Sequence, residues 1–159
     1  MSKAYTGKGD NGYTKTFDGR AVPKDSLIIV AQGKIDALLS SLDLAKCLNP
    51  PYLQRLEGIQ TKLWQMGGEL SGYGQAVKKE DILGLEKLID ECGKPPTQFV
   101  RFSKQSSISL DRCRISCREA EIALTPLHRS QEISNDFYVY MNRLSSYFFM
   151  LAYTAEKEL

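Results

Sequence analysis

Residues 7–12 read Gly7-Lys8-Gly9-Asp10-Asn11-Gly12, between Tyr5-Thr6 and Tyr13-Thr14. Glycines at this density let the backbone curl so that amide N–H groups converge on phosphate oxygens. Lys8 adds positive charge, and Thr6 and Thr14 add hydroxyls. A dinucleotide-binding loop needs a buried strand before it and a helix opening on its last glycine. Only Met1-Ser2-Lys3-Ala4-Tyr5-Thr6 precedes Gly7, and Tyr13-Thr14-Lys15-Thr16-Phe17 follows Gly12. Neither flank fits, and the later motifs of a kinase are absent. The loop is therefore a phosphate holder on some other fold, or an ordinary turn.

A second group lies at Arg114, Arg118 and Glu121, spaced four and three along a helical pattern. This spacing makes one stripe beside the apolar positions Cys113, Cys117 and Ala120. Two arginines one turn apart can clamp a polyphosphate, since each has forked donors and permanent charge. The plain alternative is a solvated face with an Arg118–Glu121 pair. Asp36 sits beside the apolar residue Ile35 and wants a cation, and Asn142 sits at a helix edge where its amide needs partners. A surface position and a hydrogen bond across the bundle are the respective alternatives.

These groups must be held by helices. Asp25 or Ser26 can cap a helix with apolar positions at Ile35, Leu38 and Leu42, stopped by Asn49-Pro50-Pro51. A second carries Leu56, Ile59, Leu63, Met66 and Leu70, and ends at Gly72-Tyr73-Gly74. A third carries Ile82, Leu85 and Ile89, ended by Gly93-Lys94-Pro95-Pro96. The fourth runs through Leu110, Cys117 and Leu124 to a stop near Pro126. The fifth starts near Asn135-Asp136 and carries Phe137, Tyr140, Leu144, Tyr147 and Leu151. Steps of three and four mark the seams of a bundle, and short Gly/Pro connections make consecutive helices antiparallel neighbours. Residues 97–106 have no helical period and read as a linker.

The expected fold is all-α: one up-and-down five-helix domain over residues 1–159, with a glycine-rich extended arm at 1–22. Such an arm is costly to order without a ligand or partner surface.

With 159 residues, 42% hydrophobic and 25% charged, the chain is an ordinary globular domain. A net charge of +2 argues against a nucleic-acid protein. No apolar run suggests a membrane span or signal peptide, so a cytoplasmic location is expected. The four cysteines make no C-x-x-C and read better as buried thiols than as a zinc site, for which Cys113 and Cys117, one turn apart, would need two more ligands with His128 the lone histidine; a di-iron bundle is disfavoured because its Glu-x-x-His pairs cannot be made with one histidine. No protein metal ligands are expected.

Taken in order, Thr6, Gly9-Asp10, Gly12, Thr14, Pro23-Lys24-Asp25 and Gly33-Lys34-Ile35-Asp36 resemble the N-terminal signature of PduO-type ATP:cob(I)alamin adenosyltransferases. Arg114-Ile115-Ser116-Cys117-Arg118-Glu119-Ala120-Glu121 resembles that family's arginine helix, and Tyr140-Met141-Asn142-Arg143-Leu144-Ser145 its last-helix motif. The resemblance spans nearly the whole chain. It implies a homotrimer with active sites between subunits, and transfer of the 5′-deoxyadenosyl group of ATP to cob(I)alamin with Mg²⁺ present and triphosphate released.

It further implies that Thr6, Lys8, Gly9, Asp10, Gly12, Thr14 and Lys24 lie on the ATP side, and that Arg118, Glu121 and Asn142 contact ATP. Asp36 and Arg114 would form an ion pair that shapes the cobalamin side. Asp36, Arg114 and Arg118 are then the expected catalytic residues. A bulky aromatic in the linker would exclude the lower axial ligand of cobalamin, with Phe99 the first candidate and Phe102 the second. A cobalamin reductase and an adenosylcobalamin-dependent enzyme are the implied protein partners. Glu119 and Ile122 stand where many members carry arginine, and Arg101-Phe102-Ser103-Lys104 stands where Leu-Pro-Gly-Gly is usual. Two other readings fit the same chain: a relative that binds ATP or adenosylcobalamin to deliver or sense it, and a helical oligomerisation module.

Overall fold

The computed structural model describes residues 4–158. Among them are five α-helices: α1 Leu27–Leu48, α2 Leu53–Leu70, α3 Lys79–Glu91, α4 Gln105–Arg129 and α5 Asn135–Lys157. The apolar seams expected from spacing form the core. Ile35, Leu38, Leu42, Leu56, Leu63, Leu110, Leu124, Phe137, Tyr147 and Phe148 are all almost fully buried in one cluster. Burying each such side chain contributes about 1.5–3 kcal/mol, which is what holds helices of modest intrinsic stability together.

The ends follow local chemistry. Ser26 occupies the position before α1 in extended conformation but makes no capping bond with its side chain. At the other end Asn49 is buried and donates to the Ala45 carbonyl at 2.8 Å and to Ser109 Oγ at 3.0 Å, tying the end of α1 to α4. Gly72, at φ +94°, takes the left-handed turn that ends α2. Ser134 caps α5 by accepting from the Phe137 N–H at 3.1 Å.

Three expectations need correction. First, α4 does not stop near Pro126 but runs to Arg129. A proline so close to the end costs only one helical bond, and its own carbonyl still accepts from the Ser130 N–H at 3.0 Å. Second, consecutive helices are not all neighbours. α4 packs on α1 and α5, α2 on α1, and α3 on α5. The connection over 71–78 returns α3 alongside α2, where Arg55 pairs with Glu91 at 3.2 Å and Lys62 with Asp81 at 2.9 Å, while the one over 92–104 separates α3 from α4. Third, the arm is not simply extended. Strands β1 (Tyr13–Lys15) and β2 (Ala21–Pro23) pair antiparallel, with Thr14 opposite Val22. Its Phe17 ring lies 4.1 Å from that of Tyr73 in the α2–α3 connection, which seats the arm there.

The thiols are mixed. Cys113 and Cys117 are buried, Cys92 is half-buried, and Cys47 is exposed, contrary to expectation. All four are free. Cys47 lies on the solvent side of α1, two residues past Ala45, the last of its buried stripe.

Candidate active site

The arm builds a hollow. Gly7 and Gly12 adopt φ +70° and +81°, where only glycine sits without strain. The turn closes through Asp10 N–H to Gly7 O at 3.3 Å and Gly12 N–H to Gly9 O at 3.2 Å. Lys24 N–H then donates to Gly12 O at 2.9 Å, joining the loop to the foot of α1. Thr6, Lys8, Gly9, Asn11, Thr14 and Lys15 are among the residues lining a cavity of about 460 Å³. Lys24 Nζ lies 2.8 Å from the place a Cβ would take at Gly9. Any side chain there would push the ammonium off the loop. The arm thus gathers Thr6, Lys8, Gly9, Thr14 and Lys24, with Asp10 and Gly12 making the turn.

Spacing alone missed Lys15 and Asn11. Lys15 alternates with Thr14 on β1, and Asn11 accepts from the Tyr13 N–H at 3.2 Å as an Asx turn. An Asn before Gly was a legible turn signal.

The arginine helix borders a different cavity. Arg114 and Arg118 on α4 face Ser145, Ser146 and Phe149 on α5 and Ile89 near the end of α3, around about 560 Å³. Arg118 is exposed and has no ion pair among the described residues. The Arg118–Glu121 pair is not made. Glu121 instead accepts from Asn142 Nδ2 at 2.7 Å, and Asn142 Oδ1 accepts from Arg143 at 3.1 Å. Arg143 Nε in turn donates to Glu86 at 2.9 Å. Glu121 and Asn142 therefore do stand together, across α4 and α5.

The expected Asp36–Arg114 ion pair is not made within the chain. Arg114 Nε binds Asp111 at 2.6 Å, three residues earlier on the same helix. Asp36 is exposed and lines a groove between α1 and α2 with Gln32, Leu39, Trp64 and Ser71. Asp36 lies in the α1–α2 groove, whereas Arg114 lines the cavity that α4 shares with α3 and α5.

The linker makes a third wall. Phe99 is 94% exposed, whereas Phe102 is half-buried with its ring edge-on to Phe149, centroids 6.3 Å apart. Both line a cavity of about 600 Å³ that also touches Asp111 and Arg114.

Among the described residues no protein nucleophile is poised here. Burial pushes the Cys113 thiol up to about 12 and raises Cys117 well above the ordinary range. His128 is stacked on Tyr138 at 4.4 Å, apart from these cavities. Native protein treated with iodoacetamide at neutral pH is expected to be alkylated at Cys47 and spared at Cys113 and Cys117, as read by peptide mass spectrometry. Ready alkylation of Cys113 without unfolding would contradict its burial.

Residues 4–155 match the cobalamin adenosyltransferase family. The chain is 34% identical to the corrinoid adenosyltransferase of Bos taurus, covering 99% of this chain and 73% of that one. It is 32% identical to the corrinoid adenosyltransferase of Citrobacter freundii, covering 96% and 94%. A variant of the PduO-type ATP:corrinoid adenosyltransferase from Lactobacillus reuteri, complexed with cobalamin and ATP, has the same fold with a TM-score of 0.87 at 27% identity. It covers 97% of this chain and 93% of that chain. From the arm to the last helix, the chain belongs to the cobalamin adenosyltransferase family.

Proposed function

We propose that this protein is an ATP:corrinoid adenosyltransferase that moves the 5′-deoxyadenosyl group of ATP onto cob(I)alamin. The observation that carries this reading is the match along the whole chain to a relative holding both cobalamin and ATP. The electron pair on reduced cobalt attacks the ribose C5′ and the cobalt–carbon bond forms. The bond from C5′ to the α-phosphate oxygen breaks, and its electrons leave with triphosphate. Cobalt is the nucleophile, so a site with neutral, buried thiols is adequate. The protein's task is to align the two reactants and to stabilise charge building on the triphosphate.

Thr6, Lys8, Gly9, Thr14, Lys15 and Lys24 offer amides, hydroxyls and ammonium groups to the phosphates. Arg118 adds a forked cation. Mg²⁺ suits this site as a companion of the triphosphate, since it binds nucleotides mainly through substrate phosphates with one or two carboxylates. Asp10 is the carboxylate at hand in the loop.

The arm with Asp36 and the arginines with Phe99 form two half-sites on separate parts of one chain. A homotrimer joining the arm of one subunit to the α4 helix of the next completes both, and lets Asp36 approach Arg114 across the contact. Exposed apolar side chains on α1 and α4, including Leu44 at 54% and Ile122 at 68%, favour such an assembly. Phe99, at the rim, is placed to exclude the lower ligand of the corrinoid. The four free thiols fit a reducing cytoplasm, and no helix among the described residues is long and apolar enough to cross a membrane. A cobalamin reductase upstream and an adenosylcobalamin-dependent enzyme downstream are the partners this chemistry needs.

The deciding assay combines protein, ATP, Mg²⁺ and chemically reduced cobalamin and follows the absorbance change as the cobalt–carbon bond forms. A rate well above a protein-free control is expected. No rate above control would overturn the reading, and binding of both substrates without turnover would select delivery or sensing instead.

A further inference from the structure

The N-terminus of α4 lacks the usual local support. Lys104 at the cap position makes no side-chain cap bond, and the first turn holds no acidic residue. Its unpaired N–H groups and positive dipole end call for a carboxylate. One comes from the far end of α5. Glu156 accepts from the Ser103 N–H at 3.1 Å, Ser103 Oγ at 2.5 Å and the Lys104 N–H at 3.3 Å, and also from Ser107 Oγ. Both carboxylate oxygens are used.

Phe102 directly precedes the held residues. Its ring meets Phe149 edge-on, and the linker from Phe99 to Phe102 walls the cavity that also touches Arg114. Phe99 projects 94% exposed from the same segment, so only its backbone can keep it in place. Resting on the activity proposed above, we propose that Glu156 is a positioning residue for the corrinoid: it fixes the segment bearing Phe99 and Phe102 against the Arg114 cavity. The hydrogen bonds, Ser103 first, draw its carboxyl down to about 2, so the tether is charged throughout the physiological range. Glu156 is half-buried and bonds the two residues before α4 together with Ser107, so it governs local placement far more than global stability.

The test uses the full-length protein with Glu156→Ala and Glu156→Gln. Glutamine keeps the length but turns an amide N–H toward donors. Hydrogen exchange at the Ser103 and Lys104 amides is expected to quicken in both variants, with the melting temperature little changed. The KM for cob(I)alamin should rise about tenfold while the KM for ATP stays within about twofold. Unchanged exchange at those amides, or the two KM values rising together with loss of melting temperature, would overturn the role. If the wild type neither adenosylates nor binds corrinoid, the activity reading falls and this role falls with it. If it binds without turnover, the same split is read in the dissociation constants.

Discussion

Arg118→Ala is expected to lower kcat/KM for adenosyl transfer by roughly ten- to a hundredfold, the worth of a charge-assisted phosphate contact of about 1.5–3 kcal/mol. The side chain is exposed on α4, lines the α3–α4–α5 cavity, and has no ion pair among the described residues to hold it back. Arg114 beside it is engaged with Asp111. Removing Arg118 leaves no buried group unpaired, so stability should change by no more than about 0.5 kcal/mol. Arg118→Lys keeps the charge and loses the fork, and should fall between the two. Steady-state kinetics with a thermal melt on each variant decides the matter. Activity near that of the wild type in Arg118→Ala would show the arginine stripe to be only a solvated face.

Much of the frame was legible because it depends on local periodicity and on glycine and proline stops. Leu56, Ile59, Leu63, Met66 and Leu70, stepping by three and four, are the buried face of α2. What escaped depends on relations between distant segments. Nothing near Lys79–Glu91 says that α3 packs on α5 instead of on the next helix, α4, because that follows from the course of the connection over 92–104. Glu156 could not be read as the partner of Ser103 and Ser107, since the bond joins the last turn of one helix to the first turn of another. The Asp111–Arg114 pair was different: its i, i+3 spacing was in plain view and competes directly with any link from Arg114 to Asp36 within the chain.

The departures from the family pattern also have physical readings. Glu119, one of the positions where the resemblance leads one to expect arginine, meets Lys34 of α1 at 2.8 Å. A pair so exposed contributes about 0–1 kcal/mol, so it accommodates the charge change more than it stabilises the bundle. Ile122 stays 68% exposed in the single chain, and a neighbouring subunit over that face would cover it.

Deletion of residues 1–22 is expected to abolish ATP binding and leave the bundle folded. The buried core begins at Ala31, so the deletion removes none of its members. Of the described arm residues only Thr16 is buried, and the arm touches the bundle through Phe17 against Tyr73. The helical signal in circular dichroism should persist, with a stability change on the order of 1 kcal/mol. ATP affinity, measured by calorimetry, should fall by at least about a hundredfold, since several loop contacts of about 1 kcal/mol each are lost together with Lys8 and Lys15. Retained affinity would place the phosphates wholly on the Arg118 side. Collapse of the helical signal would instead make the arm a structural part of the bundle. The hairpin favours lost affinity with the bundle intact: its own turn and strand hydrogen bonds hold the loop's shape, so the arm can be formed before ATP arrives and needs little from the core to present its amides.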